Sequence, residues 1–75
     1  MKLPYELTRY EVKGLTEKEN DVVYYISFGF TNKEISDILN IKQKTVELRL
    51  YKIYRKFNIR NKTELAVKYT LGLIK

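Results

Sequence analysis

A chain of 75 residues with a formal charge of +6, no cysteine and no histidine is one small domain without a disulfide framework, a thiolate nucleophile or the commonest acid/base and metal ligand. Neither an enzyme nor a metal or other cofactor is therefore expected. No apolar run approaches the roughly 20 residues of a membrane span and no signal-peptide core follows Met1 and Lys2, so the expectation is a cytoplasmic protein with no membrane partner.

Residues 1–14 contain Pro4, Tyr5, Leu7, Tyr10, Val12 and Gly14, a pattern too short to define a helix, and are read as an N-terminal arm. The arm is a linker remnant, a dimer element or a minor-groove arm; no residue in it selects among these. The folded domain is expected over 15–75. Thr16-Glu17-Lys18-Glu19 is a capping box, with a hydroxyl for the amide three residues on and a carboxylate for the cap amide. It opens a helix over 17–28 with Val22, Val23 and Ile26 inside, and Gly29 supplies the positive φ that ends it. Phe30 then enters the core. Thr31-Asn32-Lys33-Glu34 is a second box, opening a helix over 32–39 with Ile35, Ile38 and Leu39 inside and Asn40 left-handed at its end.

After the Ile41 turn, a helix over 43–57 has Val46, Leu50, Ile53 and Phe57 at spacings of four, three and four, an apolar stripe. Residues 42–62 hold eight Lys or Arg against one acidic residue, a local +7, and the rest of the chain sums to −1. This helix has a buried face and a basic outer face, as a polyanion partner requires. Asn61-Lys62-Thr63-Glu64 repeats the cap pattern and starts a helix over 62–71, with Leu65, Ala66 and Tyr69 on one side. Gly72 ends it, and Leu73 and Ile74 fold back on it. The fold class is all-α, a four-helix bundle containing a helix-turn-helix.

The run Leu15-Thr16-Glu17-Lys18-Glu19, then Gly29-Phe30-Thr31-Asn32-Lys33-Glu34-Ile35, then Ile41 with Thr45-Val46, Ile53 and Lys56-Phe57 resembles the LuxR/FixJ/GerE-type helix-turn-helix DNA-binding domain over residues 15–74. The resemblance implies a transcription regulator whose third helix enters the DNA major groove and whose fourth makes the dimer contact. It makes the chain similar either to the short single-domain members or to an isolated C-terminal effector domain. Three positions depart from the family. Lys42 stands where an N-capping Ser is usual, which costs about 1 kcal/mol unless phosphate recovers it. Glu47 replaces a frequent Lys or Arg, and Arg49 a frequent His, so base preference should differ.

At about 100° per residue, Lys44, Leu48, Tyr51, Lys52 and Arg55 project opposite the apolar stripe, with Glu47 and Arg49 on its flanks. Lys44, Glu47, Leu48, Arg49 and Tyr51 are the base-contact candidates. Leu48 suits a thymine methyl, and Tyr51 packs on sugar or methyl and donates to phosphate; the alternative is that one of them packs on the arm or a second subunit. Glu47 either accepts from a cytosine amine or orients Arg49 or Lys44. Arg49 forks onto guanine or, the commoner use, holds phosphate. Thr31, Asn32, Lys33, Lys42, Thr45, Lys52, Arg55 and Lys56 are the phosphate-contact candidates. The amides at Thr31 and Asn32 form a seat that Lys33 reinforces, compatible with a simple cap.

Leu65, Lys68, Tyr69 and Leu71 are the dimer candidates. Tyr24, Tyr25, Tyr54 and Tyr69 are assigned to the core margin or an interface. Glu17, Glu19 and Asp21 read as a solvated first turn favoured by the helix dipole, not as a metal or catalytic site.

The function expected is a sequence-specific regulator that binds double-stranded DNA as a homodimer on two half-sites. Two alternatives use the same elements: a truncated regulator that pairs with a full-length family member, and a sigma-factor-like promoter-contacting domain that works with RNA polymerase.

Overall fold

The computed structural model describes residues 10–74, in which the chain forms α1 (Glu17–Ile26), α2 (Asn32–Leu39), α3 (Gln43–Phe57) and α4 (Lys62–Thr70). Among the described residues there is no strand and no helix long and apolar enough to cross a membrane. Residues 1–9 of the expected arm lie outside the described residues.

Both threonine caps form as the sequence implies. Thr16 Oγ1 accepts from Glu19 N–H at 3.1 Å while Glu19 Oε1 accepts from Thr16 N–H at 2.9 Å; Thr31 and Glu34 repeat the exchange at 3.1 and 2.8 Å. Each box satisfies two amides that the first helical turn leaves without partners. Regular α1 ends two residues before the expected 28. Phe28 and Gly29 tighten into bonds to Tyr25 and Ile26 carbonyls, and Phe30 N–H reaches back to Tyr25 O at 3.4 Å. This is a Schellman closure made possible by Gly29 at φ +84°. Asn40 is left-handed as expected, at φ 56°, and Ile41 N–H returns to Ser36 O at 2.9 Å.

The third cap is a correction. Asn61 Oδ1 does accept from Glu64 N–H at 2.9 Å, but Glu64 Oε1 takes the Arg60 N–H at 2.7 Å instead of the Asn61 amide. That hydrogen bond, against the rise that burial favours and with Lys68 and Arg60 close by, holds the Glu64 carboxyl below its ordinary range. At the other end of α4, Gly72 at φ 71° lets Leu73 N–H reach Lys68 O at 2.8 Å. Only Ile74 then folds into the core; Leu73, expected beside it, is exposed.

α3 packs across α2 and α1, and α4 packs on α1. Ile35, Val46, Ile53, Leu65, Val22 and Val23 are fully enclosed between them, and burying each such aliphatic side chain contributes about 1.5–3 kcal/mol. Ile38 is a second correction: it is 47% exposed. Ile35 and Leu39, four residues apart, use the face of α2 that meets the core, and Ile38 falls on the flank that α1 and α3 leave open.

The described part of the arm is built into the domain. Val12 is a core residue whose N–H donates to buried Asn20 Oδ1 at 2.6 Å. The Tyr10 ring stacks on Tyr69 with centroids 4.4 Å apart, and its hydroxyl donates to Tyr69 O at 2.6 Å while the Tyr69 hydroxyl donates to Tyr10 O at 3.1 Å. Burial, and then the neighbouring Tyr69, push the Tyr10 phenol up.

Candidate nucleic-acid interface

Asn40, Ile41 and Lys42 turn the chain from α2 into α3. The left-handed residue there is Asn, which tolerates that conformation better than most side chains, and half-buried Ile41 anchors the turn against the core. With Val46, Leu50 and Ile53 buried, helical geometry turns Lys44, Glu47, Leu48, Tyr51, Lys52 and Arg55 outward, and all six are exposed. Leu48 is 53% and Tyr51 55% exposed. Arg49 and Thr45 are half-buried at the edges of the face.

Charge pairing separates the basic residues into two groups. Lys33 meets Asp37 at 3.7 Å, Arg60 and Lys68 share Glu64 at 3.8 and 3.7 Å, and Lys56 meets Glu19 at 2.6 Å. Lys42, Lys44, Arg49, Lys52 and Arg55, on or at the start of α3, have no carboxylate partner among the described residues, and neither do Lys13, Lys18 and Lys62 elsewhere on the domain. The five on α3 and at its start leave that edge of the domain positively charged and not neutralised by the other described residues. Glu47 makes no ion pair with Arg49 or Lys44, so its suggested role in orienting them is not seen and its carboxylate stays available as an acceptor.

Lys56 departs from its expected role. Its amine donates to Glu19 Oε1 at 2.6 Å and to Gly14 O at 3.2 Å, fastening α3 to α1 and to the loop before it rather than reaching outward for phosphate. Glu19 departs with it. The carboxylate read as solvated is buried; burial pushes its pKa up, but the Lys56 amine and the Thr16 amide and hydroxyl outweigh that and hold it below the ordinary 4.5. The signal was present in the capping box, which draws the N3 side chain back against the helix; the lysine partner is 37 residues away and leaves no local trace.

Two of the four dimer candidates are likewise displaced. Leu65 and Tyr69 are buried inside the subunit, where Leu65 fills the centre and Tyr69 clasps Tyr10. Lys68 is engaged with Glu64. The outward face of α4 instead carries Val67, which the sequence reading missed, and Leu71; they are 50% and 65% exposed.

At the start of α2, the Thr31–Glu34 exchange occupies two amide positions and places a carboxylate beside them. Asn32 Oδ1 is buried there with no hydrogen-bond donor, and Lys33 is exposed. Lys42 occupies the N-cap of α3 with extended backbone and no side-chain cap bond. Replacing Lys42 by Ser should therefore stabilise the domain by about 1 kcal/mol, raising Tm by about 4–8 °C, while weakening polyanion binding through the lost cation. Thermal melts and a salt titration of the same variant test both halves.

The family described as bacterial regulatory proteins, luxR family (GerE), matches residues 13–69. The chain is similar to the probable transcriptional regulator ycf29 of Guillardia theta, 38% identical over 65 residues that make up 87% of this chain and 31% of the relative. It is also similar to the nitrate/nitrite response regulator protein NarP of Escherichia coli, 36% identical over 53 residues, 71% of this chain and 25% of the relative. With the transcriptional regulatory protein ComA of Bacillus subtilis it shares 33% identity over 64 residues, 85% of this chain and 30% of that protein. The matched region thus spans between a quarter and a third of the length of these relatives.

Proposed function

Since the chain belongs to the luxR family of bacterial regulatory proteins, we propose that it acts in the cytoplasm as a transcription regulator, not an enzyme, by laying α3 in the major groove of double-stranded DNA. The observation that carries this reading is the outer face of α3. There Lys44, Arg49 and Lys52, with Lys42 at the helix start, lack carboxylate partners among the described residues, and an apolar Leu48 and an aromatic Tyr51 stand exposed among them. Cations alone would serve any polyanion. Leu48, Tyr51 and the unpaired Glu47 add groups that distinguish base edges, by methyl contact and by accepting from an amine.

The remaining candidates have subordinate roles. Lys42, Thr45, Lys52 and Arg55 position the helix on phosphates, with Thr31, Asn32 and Lys33 touching the backbone from α2. Two copies meet through Val67 and Leu71 on α4 and read two half-sites about one helical turn apart.

Selection from a randomised duplex library at about 150 mM salt, where loose phosphate binding is suppressed, tests this. An enriched repeated half-site is expected, and its spacing reports the dimer. A bound pool with no sequence preference would refute sequence-specific reading.

A further inference from the structure

Tyr51 and Arg55 lie one turn apart on the exposed side of α3, and their side chains are joined. Arg55 Nη1 donates to the Tyr51 hydroxyl oxygen at 3.0 Å, and the guanidinium carbon lies 5.7 Å from the ring centroid. Neither residue has a carboxylate partner among the described residues. A phenol offers one donor and two acceptor lone pairs, and a guanidinium offers donors alone. When a lone pair of the hydroxyl is taken by a cation, the oxygen becomes a poorer acceptor and its own O–H a stronger donor. The pair therefore presents donors outward: the polarised O–H and the remaining guanidinium N–H groups.

We infer that Tyr51 and Arg55 form one recognition unit that favours acceptors on DNA: on a phosphate oxygen it fixes the register of α3, and on the O6/N7 edge of guanine it determines specificity by disfavouring the exocyclic amines of cytosine and adenine. This rests on α3 being the groove helix and adds a polarity to its surface. Glu47, one turn before Tyr51, accepts only; Leu48 is apolar; Arg55 donates only, and Tyr51, with a lone pair taken by Arg55, chiefly donates. The helix meets the duplex with acceptor, apolar and donor groups in that order along its axis, and so favours one orientation on an asymmetric half-site.

The experiment is a double-mutant cycle on the best duplex from the library selection, using Tyr51→Phe, Arg55→Met and the double variant, with helicity checked by circular dichroism. Tyr51→Phe keeps the ring and removes the hydroxyl, and it should weaken binding about fivefold, as one neutral hydrogen bond does. Arg55→Met should cost about tenfold, as a charged contact does. The double variant should also lose about tenfold, not the roughly fiftyfold of independent residues, because each acts through the other.

Duplexes with a neutral methylphosphonate, or with a guanine analogue that removes the N7 acceptor (7-deazaguanine) or replaces O6 by a poorer acceptor (6-thioguanine), at single positions then name the acceptor. The Tyr51→Phe penalty should vanish on one substituted duplex, the first kind for phosphate and the second for a guanine edge. Independent losses, or a penalty that survives on every substituted duplex, would overturn the unit while leaving DNA reading by α3 intact. Absence of any wild-type duplex preference would overturn both.

Discussion

Changing Leu48, Arg49 and Tyr51 together to Ala should remove most of the sequence discrimination, leaving the share that Glu47 supplies, and lower affinity for the selected duplex by at least about 100-fold, since each good base-edge contact contributes roughly 1–3 kcal/mol. The fold should survive. Leu48 and Tyr51 are more than half exposed, Arg49 is at the edge of the same face, and Ala is the best helix former. The residual binding is itself informative. Lys42, Lys44, Lys52 and Arg55 remain, so the variant should keep weak affinity common to all duplexes, and its dependence on salt should fall only by the share of one cation. Titration of the variant against selected and scrambled duplexes at two salt concentrations measures both quantities. Affinity and preference equal to wild type would remove α3 from the role of reader.

Which parts of this molecule could be read from the chain follows from the range of the interactions. Thr16, Thr31 and Asn40 act on amides or carbonyls within a few residues, so their caps were visible as spacing alone. The buried stripe Val46, Leu50 and Ile53 was visible because it depends only on helical period, and the exposed set opposite it followed from the same arithmetic. Asn58, left-handed at φ 53°, and Ile59, buried after it with its N–H on Tyr54 O at 2.8 Å, belong to the same local class but were hidden by the charge pattern around them. Val12 could not be recognised as core, because what buries it is Asn20 and the helices beyond.

α4 defeated the periodic reading for a different reason. Leu65, Ala66, Val67, Tyr69 and Leu71 run nearly all round that helix, so the apolar pattern has no single direction. Only packing against α1 and Tyr10 decides that Leu65 and Tyr69 go in and that Val67 and Leu71 stay out. The candidate site was thus legible on α3, where one face is basic, and illegible on α4, where composition fails to separate core from interface.

Replacing Lys56 by Met should destabilise the domain by about 2 kcal/mol at pH 7 and by progressively less toward pH 3. Removing one partner of a buried ion pair leaves an uncompensated charge and costs about 3–5 kcal/mol when both are enclosed. Here the Glu19 side chain is 6% exposed but that of Lys56 is 38%, so solvent screening reduces the figure. The direction with pH follows from Glu19. In the native protein its carboxyl sits below its ordinary 4.5, so the stability it contributes is complete above that value and is lost as pH falls through the lowered one.

In the Lys56→Met protein the amine is gone, and burial, opposed only by Thr16, drives the carboxyl upward. The penalty is then felt where Glu19 is ionised and is relieved by protonation, so the wild-type and variant stabilities converge in acid. Glu19→Gln supplies the control: it retains an oxygen for the Thr16 amide, has nothing to titrate, and should flatten the acid limb of the stability curve. Urea denaturation of the three proteins at pH 3, 5 and 7 tests the account. A Lys56→Met penalty of equal size at all three would show that the lysine stem packs α3 onto α1, with the charge contributing nothing. A penalty confined to the higher pH values would identify the Glu19–Lys56 pair as an acid-sensitive fastening between α3, α1 and the loop at Gly14.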